Sequence, residues 1–243
     1  MLPTETHHVV VALCLLLTSL GSRHASAQQK VVNLVTIETG DLPIILSAPH
    51  GGRYEIPDAA ERQGVGVDLY NPRSDANTDQ LTEQLADAIE KKLGKRPYLV
   101  IARFHRKYAD ANRRDRDAHE SQAAKAVYST YHQAIANARR DVIERWGRGI
   151  LFDIHGQGAD PEAIFRGTQN GKTTTHLVNR FGREALNGET SVFGQLAKQG
   201  VSVIPATGST DREHVNYDGG YIVTTYGSGS DGTLDAIQLE LGR

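Results

Sequence analysis

The segment Gly149-Ile150-Leu151-Phe152-Asp153-Ile154-His155-Gly156 constrains the fold more than any other part of the chain. Its apolar start, Ile150-Leu151-Phe152, is expected of a strand covered on both faces. A strand of that kind needs helices above and below it. The rest of the chain supplies them.

Val31–Thr36 and Pro43–Ser47 are β-branched or aliphatic runs separated by Thr39-Gly40-Asp41, which predicts two strands and a turn. From Thr78 to Leu93 the apolar residues Leu81, Leu85, Ile89 and Leu93 recur every four positions, and Gly94 follows as a stop signal. That pattern predicts an amphipathic helix. Tyr98–Phe104 reads as a third strand. Val127, Tyr131, Ile135, Ala138 and Val142 mark the buried stripe of a long helix ending near Trp146 and Gly147. Further on, a weaker strand is expected at Ala163–Arg166 and a helix within Val178–Lys198. Strands are then expected at Val201–Pro205, Tyr221–Thr225 and Ala236–Leu241. This alternation predicts a single three-layer α/β domain with a mixed, largely parallel central sheet flanked by helices.

Composition narrows the function classes. Lys and Arg number 27 against 29 Asp and Glu, for a formal net charge of −2. The strongly basic footprint of a nucleic-acid binder is missing, so no nucleic-acid partner is expected. The one cysteine, Cys14, lies in the apolar run Val9–Leu20, which Ala25-Ser26-Ala27 follows. At 12 residues the run is short of the roughly 20 that span a membrane. An apolar run of that length before small residues reads as a secretory signal peptide over residues 1–27. The leading MLPTETHH, however, lacks the usual Lys or Arg. Residues 28–243 are then the catalytic domain, exported to the periplasm or beyond, with no membrane span and no thiol.

The chemistry gathers at strand ends, where sheets of this class bind ligands. One strand runs into Ala48-Pro49-His50-Gly51-Gly52, a sharp bend in which His50 is the one reactive side chain. Another ends Asp153-Ile154-His155-Gly156, and residues two apart on a strand share a face. On the last strand Gln238 and Glu240 alternate with Ile237, Leu239 and Leu241. A carboxylate on a core strand is costly to bury unless it is paired or functional. Two histidines and carboxylates without a usable thiol suggest one first-row metal ion bound by nitrogen and oxygen; catalytic zinc typically takes three protein ligands and leaves a fourth position open. His50 and His155 are two ligands. The third is Asp75 or Asp79, from Ser74-Asp75-Ala76-Asn77-Thr78-Asp79.

Six pieces occur in order: Ser47-Ala48-Pro49-His50-Gly51-Gly52; Thr78-Asp79 with Leu85 beyond; Arg106-x-x-x-Asp110-x-Asn112-Arg113; Asp153-Ile154-His155-Gly156; Gly219-Gly220-Tyr221; and Gln238-Leu239-Glu240. From Ser47 to the C-terminus the chain thereby resembles the N-formylglutamate amidohydrolase family, which is similar in fold to the zinc carboxypeptidases. The resemblance implies a phosphorylase/hydrolase-like, zinc exopeptidase-like fold and a zinc-dependent amide hydrolase. On matching positions it implies His50, Asp79 and His155 as ligands, Glu240 as general base and Arg113 beside the substrate carbonyl or carboxylate. The His-x-x-Glu of carboxypeptidases is not present, since Arg53 stands three residues after His50.

The chemistry expected of such a site is simple. Zinc lowers the pKa of bound water from 15.7 to about 7, and Glu240 can take that water's proton and return it to the leaving amine. Arg113, with Arg106 or Arg166, can hold a substrate carboxylate through paired hydrogen bonds. Asp110 and Asn112 are expected to orient Arg113, and Asn112 to border the substrate. Gly220 is expected to let backbone approach ligand closely. The expected substrate is a small carboxylate-bearing molecule such as an N-acyl amino acid. Two rivals stand beside it: an exported exopeptidase or amidase on peptides or cell-wall fragments, and a binding protein without turnover.

Other signals carry less. The sequence Gly227-Ser228-Gly229-Ser230-Asp231-Gly232 fits G-x-G-x-x-G but leads into a strand rather than a helix. His50-Gly51-Gly52 has no G-x-S-x-G nucleophile elbow to accompany it. His119, His132 and His176 read as surface or packing residues.

Overall fold

The computed structural model describes residues 34–230 and 232–242. The expected signal segment over 1–27 and the start of the strand expected from Val31 lie outside them. The chain runs β1 (Val35–Glu38), β2 (Ile44–Ala48), α1 (Thr78–Leu93), β3 (Tyr98–Ala102), α2 (Asp115–Ala118), α3 (Gln122–Trp146), β4 (Gly149–Gly156) and β5 (Ala163–Gly167). It continues through α4 (Thr175–Phe181), α5 (Glu184–Asn187), α6 (Val192–Lys198), β6 (Ser202–Ile204), α7 (Tyr221–Tyr226) and β7 (Leu234–Leu241).

The strands form one seven-stranded sheet in the order β1-β3-β2-β4-β7-β5-β6. Pairings β2–β3, β2–β4, β4–β7 and β5–β6 are parallel; β1–β3 and β5–β7 are antiparallel. The mixed, largely parallel sheet expected from the sequence is the one observed, with β4 at its centre.

Alternation along the strands divides the core in two. Ile45, Val100, Leu151, Leu234 and Ala236 join Val127, Tyr131, Ile135 and Val142 of α3 on one face. Leu46, Leu99, Ile101, Ile154, Ile237 and Leu239 join Ala86 of α1, Leu186 and Phe193 on the other. The period of two along each strand produces these two layers.

Helix α3 is stopped cleanly at both ends. The Ser121 side chain accepts a hydrogen bond from Ala124 N, and Gly147, at φ 70°, closes the last turn on Ile143 O.

Three expectations are corrected. Helix α1 has the expected bounds, but it turns Leu81, Leu85 and Leu93 to solvent, at 37%, 37% and 56% exposure. Its buried residues are Thr78, Asp79, Thr82 and Ala86. A four-residue repeat drifts about 40° per step around the helix. The small side chains let α1 lie close to the sheet.

The segment Tyr221–Thr225, read as a strand, is helix α7. Asn112 Oδ1, from a distant loop, accepts the Ile222 N–H at 2.9 Å, and Gly220 O receives Thr224 N and Oγ1. This tertiary cap overrides the β preference of Tyr, Ile, Val and Thr. The helix expected within Val178–Lys198 is three short ones, broken at Gly182 and Gly188.

Candidate metal centre

The parallel strands β2 and β4 end side by side, with Ser47 in register with Asp153, so His50 and His155 emerge together beyond their carboxyl ends. Gly51 and Gly52 make that approach possible. A Cβ on Gly51 would lie 2.3 Å from the backbone nitrogen of Asp79, and one on Gly52 would lie 2.4 Å from the carbonyl carbon of Arg103. The two imidazoles are buried, edge to face, with ring centroids 4.8 Å apart.

Asp75 completes the cluster. Its Oδ2 lies 3.3 Å from His50 Nδ1 and 3.1 Å from His155 Nδ1, and the ligand atoms of all three residues lie within 4.8 Å of one another. The Asp75 N–H donates to His50 O, and its Oδ2 accepts from Gly156 N, so one strand end holds the Asp75 backbone and the other its carboxylate. Two donors 2.0–2.1 Å from a shared tetrahedral ion lie about 3.3 Å apart. Both Asp75 separations match that spacing, and the donor set suits a first-row divalent ion.

The far nitrogens are also held. His50 Nε2 lies 2.7 Å from Asp110 Oδ1, and His155 Nε2 lies 2.8 Å from Asp153 Oδ2. Ser47 Oγ donates to the other oxygen of Asp153. Each imidazole therefore turns Nε2 to a carboxylate and Nδ1 to the shared point, the carboxylate–histidine arrangement that orients metal ligands. Burial would raise the Asp75 carboxyl, but His50 and His155 hold it far below the usual carboxylate range. For His155, burial lowers the pKa, yet Asp153 and Asp75 hold it well above the usual imidazole value. A proton at that nitrogen and a cation there are alternatives.

Glu240 stands beside the cluster. It pairs with His155 across β4 and β7, and its Oε1 lies 4.0 Å from His155 Nδ1. Burial pushes its carboxyl up to about 7, against the pull of His155. Gln238 Nε2 donates to Glu240 Oε1 at 2.8 Å, while Gln238 Oε1 accepts from Gly220 N.

Four carboxylates, Asp75, Asp110, Asp153 and Glu240, thus surround two imidazoles. Asp110 has cationic partners: Arg106 Nε at 2.8 Å and Arg62 at 3.9 Å. Among the described residues, neither Lys nor Arg lies within ion-pair distance of Asp75, Asp153 or Glu240. Buried carboxylates need a counter-charge.

The expected site residues fall into two groups. His50, His155, Glu240, Arg106, Arg113, Asn112 and Gly220 border one cavity of about 910 Å³ with Asp75. Asn112 is largely structural: it caps α7 and lies 3.3 Å from both His155 Nε2 and Gln238 Oε1. Gly220 must be small because a Cβ there would lie 2.2 Å from Asn112 Nδ2.

Asp79 and Arg166 are placed elsewhere. Asp79, expected as the third ligand, is turned to Arg103 Nη1 at 3.2 Å, and Asp75 occupies the position between the histidines. The chain turns between them through Asn77 at φ 63°, and Asp79 packs against Gly51 at the start of α1. Arg166 pairs with Leu239 in the sheet register, one residue from Glu240 and hence on the opposite face.

Sequence reasoning singled out neither Gln238 as the partner of Glu240 nor Arg73, which borders the cavity. It read Asp110 as a support for Arg113, whereas its main contacts are His50 and Arg106. The Asp153-x-His155 spacing did signal a shared face.

No family model matches the chain, and no curated protein matches it. Solved structures do. The fold is similar to that of an N-formylglutamate amidohydrolase from Ralstonia eutropha, with TM-score 0.56 and 19% identity over 86% of this chain and 85% of that one. A gene product of Agrobacterium tumefaciens matches with TM-score 0.52 and 14% identity over 86% and 84%. These likenesses establish a shared fold: one mixed α/β sheet flanked by helices.

Proposed function

We propose that the protein is a metal-dependent hydrolase of a C–N amide bond in a small carboxylate-bearing substrate. The observation that carries this reading is the set of buried carboxylates converging on two paired imidazoles, with neither Lys nor Arg, among the described residues, within ion-pair distance of Asp75, Asp153 or Glu240. A structural neighbour that hydrolyses an amide, the N-formylglutamate amidohydrolase, supports it.

His50 Nδ1, His155 Nδ1 and an Asp75 oxygen would hold the ion, with zinc the best match to two nitrogens and one carboxylate. When bound, it supplies a Lewis acid that lowers the pKa of water to about 7. Glu240 faces the same cavity and works as the proton carrier. Its carboxyl, poised near 7 by burial, accepts a proton from the attacking water and delivers it to the departing amine nitrogen. Gln238 fixes that carboxylate by donating to Oε1. Arg106 and Arg113 border the cavity, where their remaining N–H groups can face the oxyanion or carboxylate of the substrate. Arg73 adds a third guanidinium at the rim.

The test is amine release by zinc-loaded protein from N-formylglutamate, other N-acyl amino acids and a dipeptide panel. Turnover of an N-acyl amino acid that disappears on chelation and returns with zinc is the expected result. Turnover of dipeptides alone would move the substrate class to peptides. Silence on every amide despite stoichiometric metal would favour a binding protein.

A further inference from the structure

Arg166, excluded from the catalytic cavity, sits over a different one. Its side chain is 93% buried on the far face of the sheet, stacked 5.6 Å from the Phe193 ring centroid. Nε donates to Glu213 Oε1 at 2.9 Å, while Nη1 has no hydrogen-bond partner among the described residues. A buried guanidinium N–H without an acceptor carries an uncompensated desolvation cost and calls for an explanation.

Glu213 shows what this corner of the fold accommodates. Its carboxylate also receives Thr168 N, Thr168 Oγ1 and Asn170 N at 2.5–2.8 Å, so it is saturated by donors and cannot serve Nη1 as well. Beside it opens a cavity of about 470 Å³, bordered by Arg166, Lys172, Arg183 and Arg212 with Val178 and Leu186 as an apolar wall. Lys172, Arg183 and Arg212 make no ion pair among the described residues. Asp211 is the one acid on the rim besides Glu213. The size is that of a small-molecule site, and it shares no bordering residue with the catalytic cavity.

We propose that this cavity between α4, α5 and the 210–213 loop is a second binding site, for a small molecule carrying an oxyanion group. Arg166 forms its floor, Arg183 and Arg212 clamp the anion, and Val178 and Leu186 meet the carbon skeleton. Carboxylate and phosphate share this chemistry.

The experiment is calorimetric titration of the metal-loaded full chain with glutarate and, separately, with inorganic phosphate, at constant ionic strength. Saturable binding of either anion is expected, with a component weakened at least tenfold in the Arg183→Ala/Arg212→Ala double variant and unchanged in His155→Ala. The anion that binds more tightly distinguishes a carboxylate from a phosphate ligand. Arg166→Gln should act like the double variant; if loss of the buried arginine prevents folding, the rim double variant alone decides the test. No saturation with either anion would overturn the proposal, as would equal affinity in the rim variant. Binding lost in His155→Ala but kept in the rim variant would place the anion at the metal centre and equally overturn it.

Discussion

His155 and Glu240 are direct neighbours on the parallel strands β4 and β7, so the imidazole nitrogen His155 Nδ1 and the carboxylate oxygen 4.0 Å from it are fixed by one sheet register. A rigid sheet, not a loop, sets the distance between the candidate ligand and the candidate base. Glu240→Gln keeps the shape and removes the proton acceptor. Turnover should fall by roughly 10²–10⁴-fold, with metal content unchanged by elemental analysis. Activity equal to wild type would remove Glu240 from the mechanism.

The two acids at the start of α1 give opposite expectations. Asp75→Ala removes the oxygen shared by both imidazoles and should strip zinc from protein purified without chelator. Asp79→Ala breaks a contact to Arg103 and should leave the zinc stoichiometry unaltered. Metal content of the two variants, measured side by side, decides which acid is the ligand.

Asp110 and Asp153 hold the far nitrogens of the two candidate ligand histidines. Each accepts from an Nε2 and so turns Nδ1 inward. Asp153→Asn and Asp110→Asn should each weaken zinc affinity by about 10–100-fold, read by competition with a chromophoric chelator. Unchanged affinity in both would mean that the imidazoles are oriented by packing alone.

His132 predicts an acid-sensitive fold. It is held neutral beneath α7, with Nε2 against Ala111 O and Nδ1 against the Tyr226 hydroxyl, and burial lowers its pKa from 6.5 to about 4. Below pH 6.5 the unfolded chain takes up a proton that the folded chain refuses. Stability from this group is complete above that pH and is lost as the pH falls toward 4, by on the order of 2–3 kcal/mol. Urea unfolding at about pH 7.5 and about pH 4.5 should show a smaller loss in His132→Gln than in wild type. Parallel losses would exclude His132 as the cause.

Gly51 is a position of steric necessity. A methyl group there meets the backbone of α1 at 2.3 Å, where no side chain can yield. Gly51→Ala should lower stability by about 1–3 kcal/mol or more and weaken metal binding with it, since His50 and the Asp75 turn move together. A wild-type unfolding midpoint would show that the helix can retreat without cost.

Much of this was legible in the chain itself, because local rules govern it. The apolar run before Asp153 announced a strand buried on both faces, and Gly94 and Gly147 announced helix ends. The alternation of Asp153 with His155, and of Gln238 with Glu240, placed those side chains on shared faces before any fold was known. Other features depend on contacts between distant segments. Asn112 turned a β-rich stretch into α7, the close approach of Gly51 to α1 set which helix face is buried, and the turn at Asn77 chose Asp75 over Asp79 as the companion of the histidines. The sheet register likewise sent Arg166 to the face opposite Glu240. Periodicity along one element is written in neighbouring residues, whereas the choice among nearby acids and arginines is made by which strand or helix lies alongside, and only the assembled tertiary structure decides that.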